Sequence, residues 1–371
     1  MNPEERLHAM DHLRALAMLA GVGFHAALAY SPLMQPWFPT ADRQSWWGVD
    51  ALIWLPHLIR MPLFFAVAGF FAAWLLQRRG MGGMLRQRVR RILLPLLVAW
   101  PLVHLSTSAL TQWAATELTH PSPMLLLVRE WLAMPDPPRM PPSTGHLWFL
   151  YYLLWFSVLY WVGRTLELGA LLQRWMVLGP GRAALVLALI LVPSLTLVSA
   201  PHPAPESLLP QAWAIGFYGP FFALGVGLHG RLEWLDRLRP ALAWISLLCL
   251  LLYLIFLWRL SLEPPSAAQP TASWLVATLE AGISVSGTLV CLLAGRIWLN
   301  RPIPLLRYLS ASAYWTYLLH LPLLFALQYA LMDWPLAWPL KFVVATGLTL
   351  GICLLSHEWL VRRTPLRRYV G

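Results

Sequence analysis

Ten apolar runs, each near or above the ~17–25 residues that carry a helix across a hydrocarbon layer, take up most of this chain. They cover residues 13–30, 51–77, 92–110, 146–162, 183–200, 212–228, 240–258, 273–294, 308–331 and 336–360. The pattern predicts an all-α, polytopic membrane bundle of about ten transmembrane helices, with 1–371 forming a single domain. A further apolar stretch, 124–134, is too short to span and is expected to lie in the interface. No internal repeat, heptad array or low-complexity tail interrupts the series.

The charges locate the ends. Only 12% of residues are charged, too few to coat a water-facing surface, and the 27 basic residues are 26 arginines and Lys341. They gather between alternate runs: Arg78, Arg79, Arg86, Arg88, Arg90 and Arg91; Arg164, Arg174 and Arg182; Arg231, Arg237 and Arg239; Arg296, Arg301 and Arg307; Arg362, Arg363, Arg367 and Arg368. The other side holds Arg43, Arg129, Arg139, Arg259 and Lys341. This is the positive-inside distribution, and it puts both termini on the cytoplasmic side of the membrane. A net charge of +11 spread in this way excludes a nucleic-acid-binding face. Cys249, Cys291 and Cys353 sit inside apolar runs with no paired spacing, so neither a metal site nor a redox site is expected. The A-x-A pattern at Ala27-Leu28-Ala29 imitates a leader cleavage site. Arg14 and His25 interrupt the preceding apolar stretch, and an uncleaved first span is expected.

Ionisable side chains within spans cost roughly 2.5–3.5 kcal/mol each on insertion scales, which makes them functional candidates. Arg14 and His25 are eleven residues apart on the first span, ~16 Å of rise and within ~20° of one face. A snorkelling arginine and a histidine satisfied by a neighbouring helix would look the same. His57 and Arg60 share a face of the second span, and Glu280 in the eighth is the best buried carboxylate for Arg60, as a structural ion pair or as part of a site. His146 and Trp148 open the fourth span at the outer rim, where Trp148 also fits an ordinary belt aromatic. Tyr317 and His320 share a face of the ninth, and Glu358 with Arg362 reads as a helix-end ion pair. Between the second and third spans, a loop carrying Arg86, Arg88, Arg90 and Arg91 is denser in arginine than topology requires. It suits either anionic lipid headgroups or a phosphate-rich cosubstrate.

Taken together, these residues resemble a family. Asp11-His12-Leu13-Arg14 with His25 resembles the R-x10-H signature of the acyltransferase 3 family of membrane enzymes. Residues 64–70 (FFAVAGF) resemble its FFxxSGF run, with Ala68 where serine is usual. Residues 86–95 (RQRVRRILLP) and 314–322 (YWTYLLHLP) match two further stretches. Residues 57–61, 146–150 and 217–225 are most similar to the family's periplasmic-glucan branch. The Ala68 departure argues against a catalytic hydroxyl at that position.

The resemblance implies transfer of an acyl group, succinyl or acetyl, from cytoplasmic acyl-CoA to hydroxyls of a periplasmic glucan or other glycan, with no bound cofactor. His25 would be the general base of a direct transfer, or alternatively the carrier of an acyl-His intermediate, and Arg60 with His57 would stabilise the oxyanion or hold the distal carboxylate of a succinyl donor. Arg14 and the arginines at 86, 88, 90 and 91 would anchor the CoA phosphates. Trp148 and its rim neighbours would stack on sugar, and His320 would orient His25 or the pantetheine arm. The partners expected are therefore acyl-CoA, a glycan and membrane lipids, without nucleic acid. The rival reading is a glycan transporter or flippase using the same charges as a relay; inverted repeats and paired broken helices, its usual signs, are absent from the sequence.

Overall fold

The computed structural model describes residues 3–137, 142–262 and 271–370; Arg139, assigned above to the outer side, lies outside them. The described chain is helical, with no strand: α1 (Pro3–Ala27), α2 (Trp47–Arg88), α3 (Leu94–Glu117), α4 (Pro123–Ala133), α5 (Trp148–Thr165), α6 (Gly169–Val177) and α7 (Pro180–Leu195), followed by α8 (Ala212–Leu228), α9 (Glu233–Asp236), α10 (Leu242–Leu262), α11 (Trp274–Trp298), α12 (Pro304–Met332), α13 (Trp338–Ser356) and α14 (Arg367–Val370). Helix is what hydrocarbon demands, since it satisfies every backbone N–H and C=O within the segment. Among the described residues, seven segments are long and apolar enough to cross a membrane, and one of them, Trp47–Glu117, contains two of the runs expected from sequence. Pro180–Leu195 and Ala212–Leu228 are apolar but shorter.

The arginine-rich segment between the second and third runs differs from expectation, because it is not a loop. Gly80, at φ 65° and ψ −178°, breaks the rod of α2, and helix resumes through Arg88. A π-turn at Val89–Leu93 then leads into α3. The cause of the π-turn is Pro95, which lacks the N–H that would bond the Arg91 carbonyl. Arg86, Arg88, Arg90 and Arg91 are thus carried on helical backbone.

The chain divides into two compact units, one of Met1–Ala17, His57–Leu93 and Trp148–Ser310, the other of Met18–Pro56, Leu94–Leu147 and Ala311–Gly371. In the first, α11 runs through the interior. Its Gly287 receives Ile59 of α2, its Gly295 receives Leu13 of α1, and Ser284 Oγ donates to the Leu58 carbonyl at 2.8 Å. The tightest approach joins α2 and α8. A Cβ on Gly69 would lie 2.0 Å from the Phe222 carbonyl oxygen, and one on Gly225 would lie 1.8 Å from that of Ala66. Small residues let helices meet main chain to main chain, which in lipid replaces the hydrophobic drive of a soluble core. Both glycines fall in motifs noted from sequence, 64–70 and 217–225. Phe65 fills the space beside this crossing, with ring centroids 4.9 Å from Phe149, 5.1 Å from Phe156 and 4.9 Å from Tyr218.

The second unit packs Ala26 of α1 against Leu324 of α12 and Ala345 of α13. Gln328 crosses this core, donating to the Ala26 carbonyl at 2.9 Å and accepting from Thr40 at 2.7 Å. Lys341, 2% exposed, donates to Asp42 Oδ2 at 2.6 Å and to the Met332 carbonyl at 3.0 Å, tying the 28–46 segment to α13. The short stretch at 124–134 is the helix α4, started by a Ser122 cap with proline at its first position.

Gly69→Ala and Gly225→Ala should each destabilise the protein by about 3 kcal/mol or more, because backbone stands where the methyl must go. Gly351→Ala, which meets nothing within 4 Å, should be silent. Fluorescence-detected size exclusion in detergent after a temperature series separates these outcomes. Lys341→Met, which leaves Asp42 buried without its cation, should cost about 3–5 kcal/mol in the same assay.

Candidate functional site

Two groups of ionisable side chains are built, one in each unit. In the unit of α12 and α13, His25 from α1, His146 from the 3-10 turn Gly145–Leu147, and Tyr317 and His320 from α12 come together. The His25 and His320 rings are 5.4 Å apart between centroids, those of His146 and His320 5.0 Å, and those of His146 and Tyr317 5.5 Å. Pro322 stands inside α12, one turn beyond Leu318. It removes the N–H that would bond the Leu318 carbonyl and loosens that turn. His146 Nε2 lies 3.0 Å from the Tyr317 carbonyl, and the Tyr317 hydroxyl donates back to the His146 carbonyl. A carbonyl only accepts, so the His146 proton is on Nε2 and its lone pair on Nδ1. The same reasoning fixes His320, whose Nδ1 donates to the carbonyls of Thr316 at 3.2 Å and Tyr317 at 2.9 Å. His146 and His320 are 5% and 3% exposed. The sequence stretches 146–150 and 314–322 therefore meet through their histidines.

In the other unit, His57 and Arg60 stand one turn apart on α2, as their spacing predicts. His57 Nε2 donates to the His202 carbonyl at 3.0 Å, with ring centroids 4.9 Å apart. Glu280 of α11 is fully buried. Its Oε1 accepts from the His202 backbone N–H at 3.0 Å and lies 3.4 Å from His202 Nδ1. The carboxylate that the sequence offers to Arg60 is thus engaged by His202, while the Arg60 charge acts electrostatically on His202 and Tyr218. His202 is the residue that sequence reasoning misses. It lies in the segment between α7 and α8, flanked by Pro201 and Pro203, and a lone histidine between two prolines was the available signal.

Arg14 is held in the same unit by Ser310, donating to its hydroxyl at 2.8 Å and its carbonyl at 3.1 Å, and Asp11 lies 3.3 Å away. Trp148 departs from a rim aromatic. It is buried, with centroids 5.2 Å from Tyr218 and 6.1 Å from Phe65, because the first turn of α5 faces α2 and α8. Trp148 is a core residue, with its ring faces occupied by neighbours rather than open to sugar. Glu358 and Arg362 form the expected pair at 2.9 Å.

Comparison with known proteins follows the same stretches. The acyltransferase 3 family's model, described as an acyltransferase domain, matches residues 7–358. Similar curated proteins include those named Glucans biosynthesis protein C from Salmonella paratyphi B, Salmonella heidelberg and Salmonella dublin. Each is 31% identical over 152 residues, 41% of this chain and 37% of the relative. The chain thus spans well under half the length of these relatives. No solved structure matches it.

His202, between the spans, supplies a pH test. Burial, reinforced by the Arg60 charge, pushes it from the usual 6.5 down to about 3. Below about pH 6.5 the unfolded chain takes up a proton that the folded chain refuses, so this contribution to stability is intact above that pH and declines as the pH falls toward 3. The melting temperature should drop between about pH 7 and about pH 5, and His202→Gln should flatten that drop. Identical pH profiles for the two proteins would contradict the assignment.

Proposed function

The chain belongs to the acyltransferase 3 family, and on that premise we propose that this membrane acyltransferase moves a succinyl or acetyl group from cytoplasmic acyl-CoA to hydroxyls of a periplasmic glucan or other glycan. The observation that carries the reading is the cluster of His25, His146, Tyr317 and His320, in which His146 and His320 are locked in defined tautomers and His320 lies against His25. Ester formation needs a base at the acceptor hydroxyl. His25 takes the hydroxyl proton as the oxygen attacks the thioester carbonyl. The tetrahedral intermediate collapses by breaking the carbon–sulfur bond, and the thiolate leaving group recovers the proton as free CoA. His320, 5.4 Å from His25 between centroids, is the positioning residue. Arg60 supplies positive charge and N–H donors for the developing oxyanion or for the distal carboxylate of a succinyl donor, and His57, whose Nε2 proton is committed to the His202 carbonyl, stands beside it one turn away on α2. Arg14 and the arginines of 86–91 take the phosphates of CoA.

An acceptor of the glucan type is supported by the name of the matched relatives, which the chain resembles over 41% of its length. Ten spans with both ends in the cytoplasm of an inner membrane would put the arginine segment on the CoA side, and the density of arginine between alternate apolar runs supports that topology. A transporter would move glycan without modifying it.

Membranes containing the wild type should transfer label from acyl-CoA to added glycan. His25→Ala should lower the rate by about 10²–10⁴ while expression and membrane insertion are unchanged. Undiminished acylation by that variant would overturn the scheme, and glycan movement without any acylation by the wild type would favour transport.

A further inference from the structure

Away from both histidine groups, α2, α5, α6 and α8 line an open cavity of about 850 Å³ within a single unit. Its walls are apolar, formed by Leu76, Phe156, Leu172, Phe222 and Val226. At its rim stand Arg164, at the end of α5, and Arg231, just beyond α8. Neither arginine has a carboxylate partner among the described residues. The wall contributed by α6 is fixed in place. Gly227 lets this helix seat closely, since a Cβ there would lie 3.0 Å from Met176 Sδ, and Trp234 Nε1 donates to the Met176 carbonyl at 3.0 Å.

The surroundings of the opening identify what would fill it. The outer surface of α6 and its flanks is apolar and uncovered, with Leu171 60%, Leu166 64% and Val177 83% exposed. A ligand arriving from water would have to pass this collar, whereas acyl chains of the bilayer would cover it. Two arginines set beside an apolar chamber match a phosphodiester with hydrocarbon tails. The guanidinium fork takes phosphate oxygens, and basic pockets between membrane helices select anionic headgroups. We infer that this cavity is a binding site for an anionic glycerophospholipid of the surrounding bilayer, its phosphate held by Arg164 and Arg231 and its acyl chains on the wall formed by Leu76, Leu172 and Phe222. The assignment uses none of the residues given roles in acyl transfer and stands or falls separately from it.

Native mass spectrometry of the full-length protein in neutral detergent, titrated with phosphatidylglycerol or phosphatidylcholine, tests this site. Phosphatidylglycerol should bind more tightly, and the double variant Arg164→Ala/Arg231→Ala should weaken it about thirtyfold. Leu172→Trp, which fills the chamber without changing charge, should weaken it as well. Arg164→Lys/Arg231→Lys should retain most of the binding, and Arg237→Ala/Arg301→Ala, removing two arginines elsewhere, should leave it unchanged. Equal affinity for the two lipids, unaltered phosphatidylglycerol binding in the alanine or tryptophan variant, or displacement of the lipid by added coenzyme A would each overturn the assignment. If the double alanine variant does not fold, the lysine and tryptophan variants decide the matter.

Discussion

Where α2 crosses α8, Gly69 and Gly225 bring main chain against main chain, so that even a methyl group would strike a carbonyl oxygen at about 2 Å. Helices in lipid gain nothing from hiding apolar surface from one another, and such crossings depend on close packing alone. The consequences run along both helices. Arg60 lies nine residues before Gly69, and Tyr218 lies seven before Gly225, so the pitch of each helix carries them from the crossing into the group that contains Glu280 and His202. Phe65 and Trp148 fill the space around Tyr218. The two glycine motifs thus act as the frame of a polar cluster, which accounts for their pairing in this chain without giving either a chemical role.

Buried charge in this frame is governed by the polar groups available nearby. Glu280 is fully enclosed and takes the backbone N–H of His202, and His202 in turn offers its carbonyl to His57. A carboxylate, a loop main chain and a helix histidine therefore form one line of hydrogen bonds, in which the segment between α7 and α8 is held from both sides. Lys341 and Asp42 do the same for the 28–46 segment in the other unit. In both places a connection outside the helices is fixed by an ionisable side chain within them, as expected where water is scarce and an unpaired polar group is expensive.

The apolar runs, their helicity and the stretches 57–61, 146–150, 217–225 and 314–322 were legible in the sequence, because hydropathy over a span is a property of consecutive residues. Helical spacing also placed His57 with Arg60 and Tyr317 with His320 correctly, since a face is set by residues on one helix. What a face meets is not written in that periodicity. Glu280 looked like a partner for Arg60, and its nearest hydrogen-bond donor is instead 78 residues away, in a proline-flanked segment of no periodic pattern. Trp148 had the position of a belt aromatic and the environment of a core residue. Residues 78–93 had the composition of a loop, yet apart from the break at Gly80 they are helical, ending in the π-turn before Pro95.

The histidines differ in what they can contribute to proton transfer, and the difference follows from main-chain geometry. His57, His146 and His320 each direct one ring nitrogen at a backbone carbonyl, which can only accept. The tautomer is therefore set in all three, and no side-chain substitution nearby can remove the acceptor that sets it. A ring locked in this way is suited to orienting a neighbour or donating to a fixed group. Its one remaining lone pair faces a direction chosen by the fold. His320 is locked by the carbonyls of its own helix, one turn back, so its orientation travels with α12. His25, partly exposed while His146 and His320 are nearly closed off, is the ring of this cluster best placed to exchange a proton with a substrate. Exposure thus distinguishes His25, the proposed general base, from His146 and His320, independently of the arginine–histidine spacing that first drew attention to it.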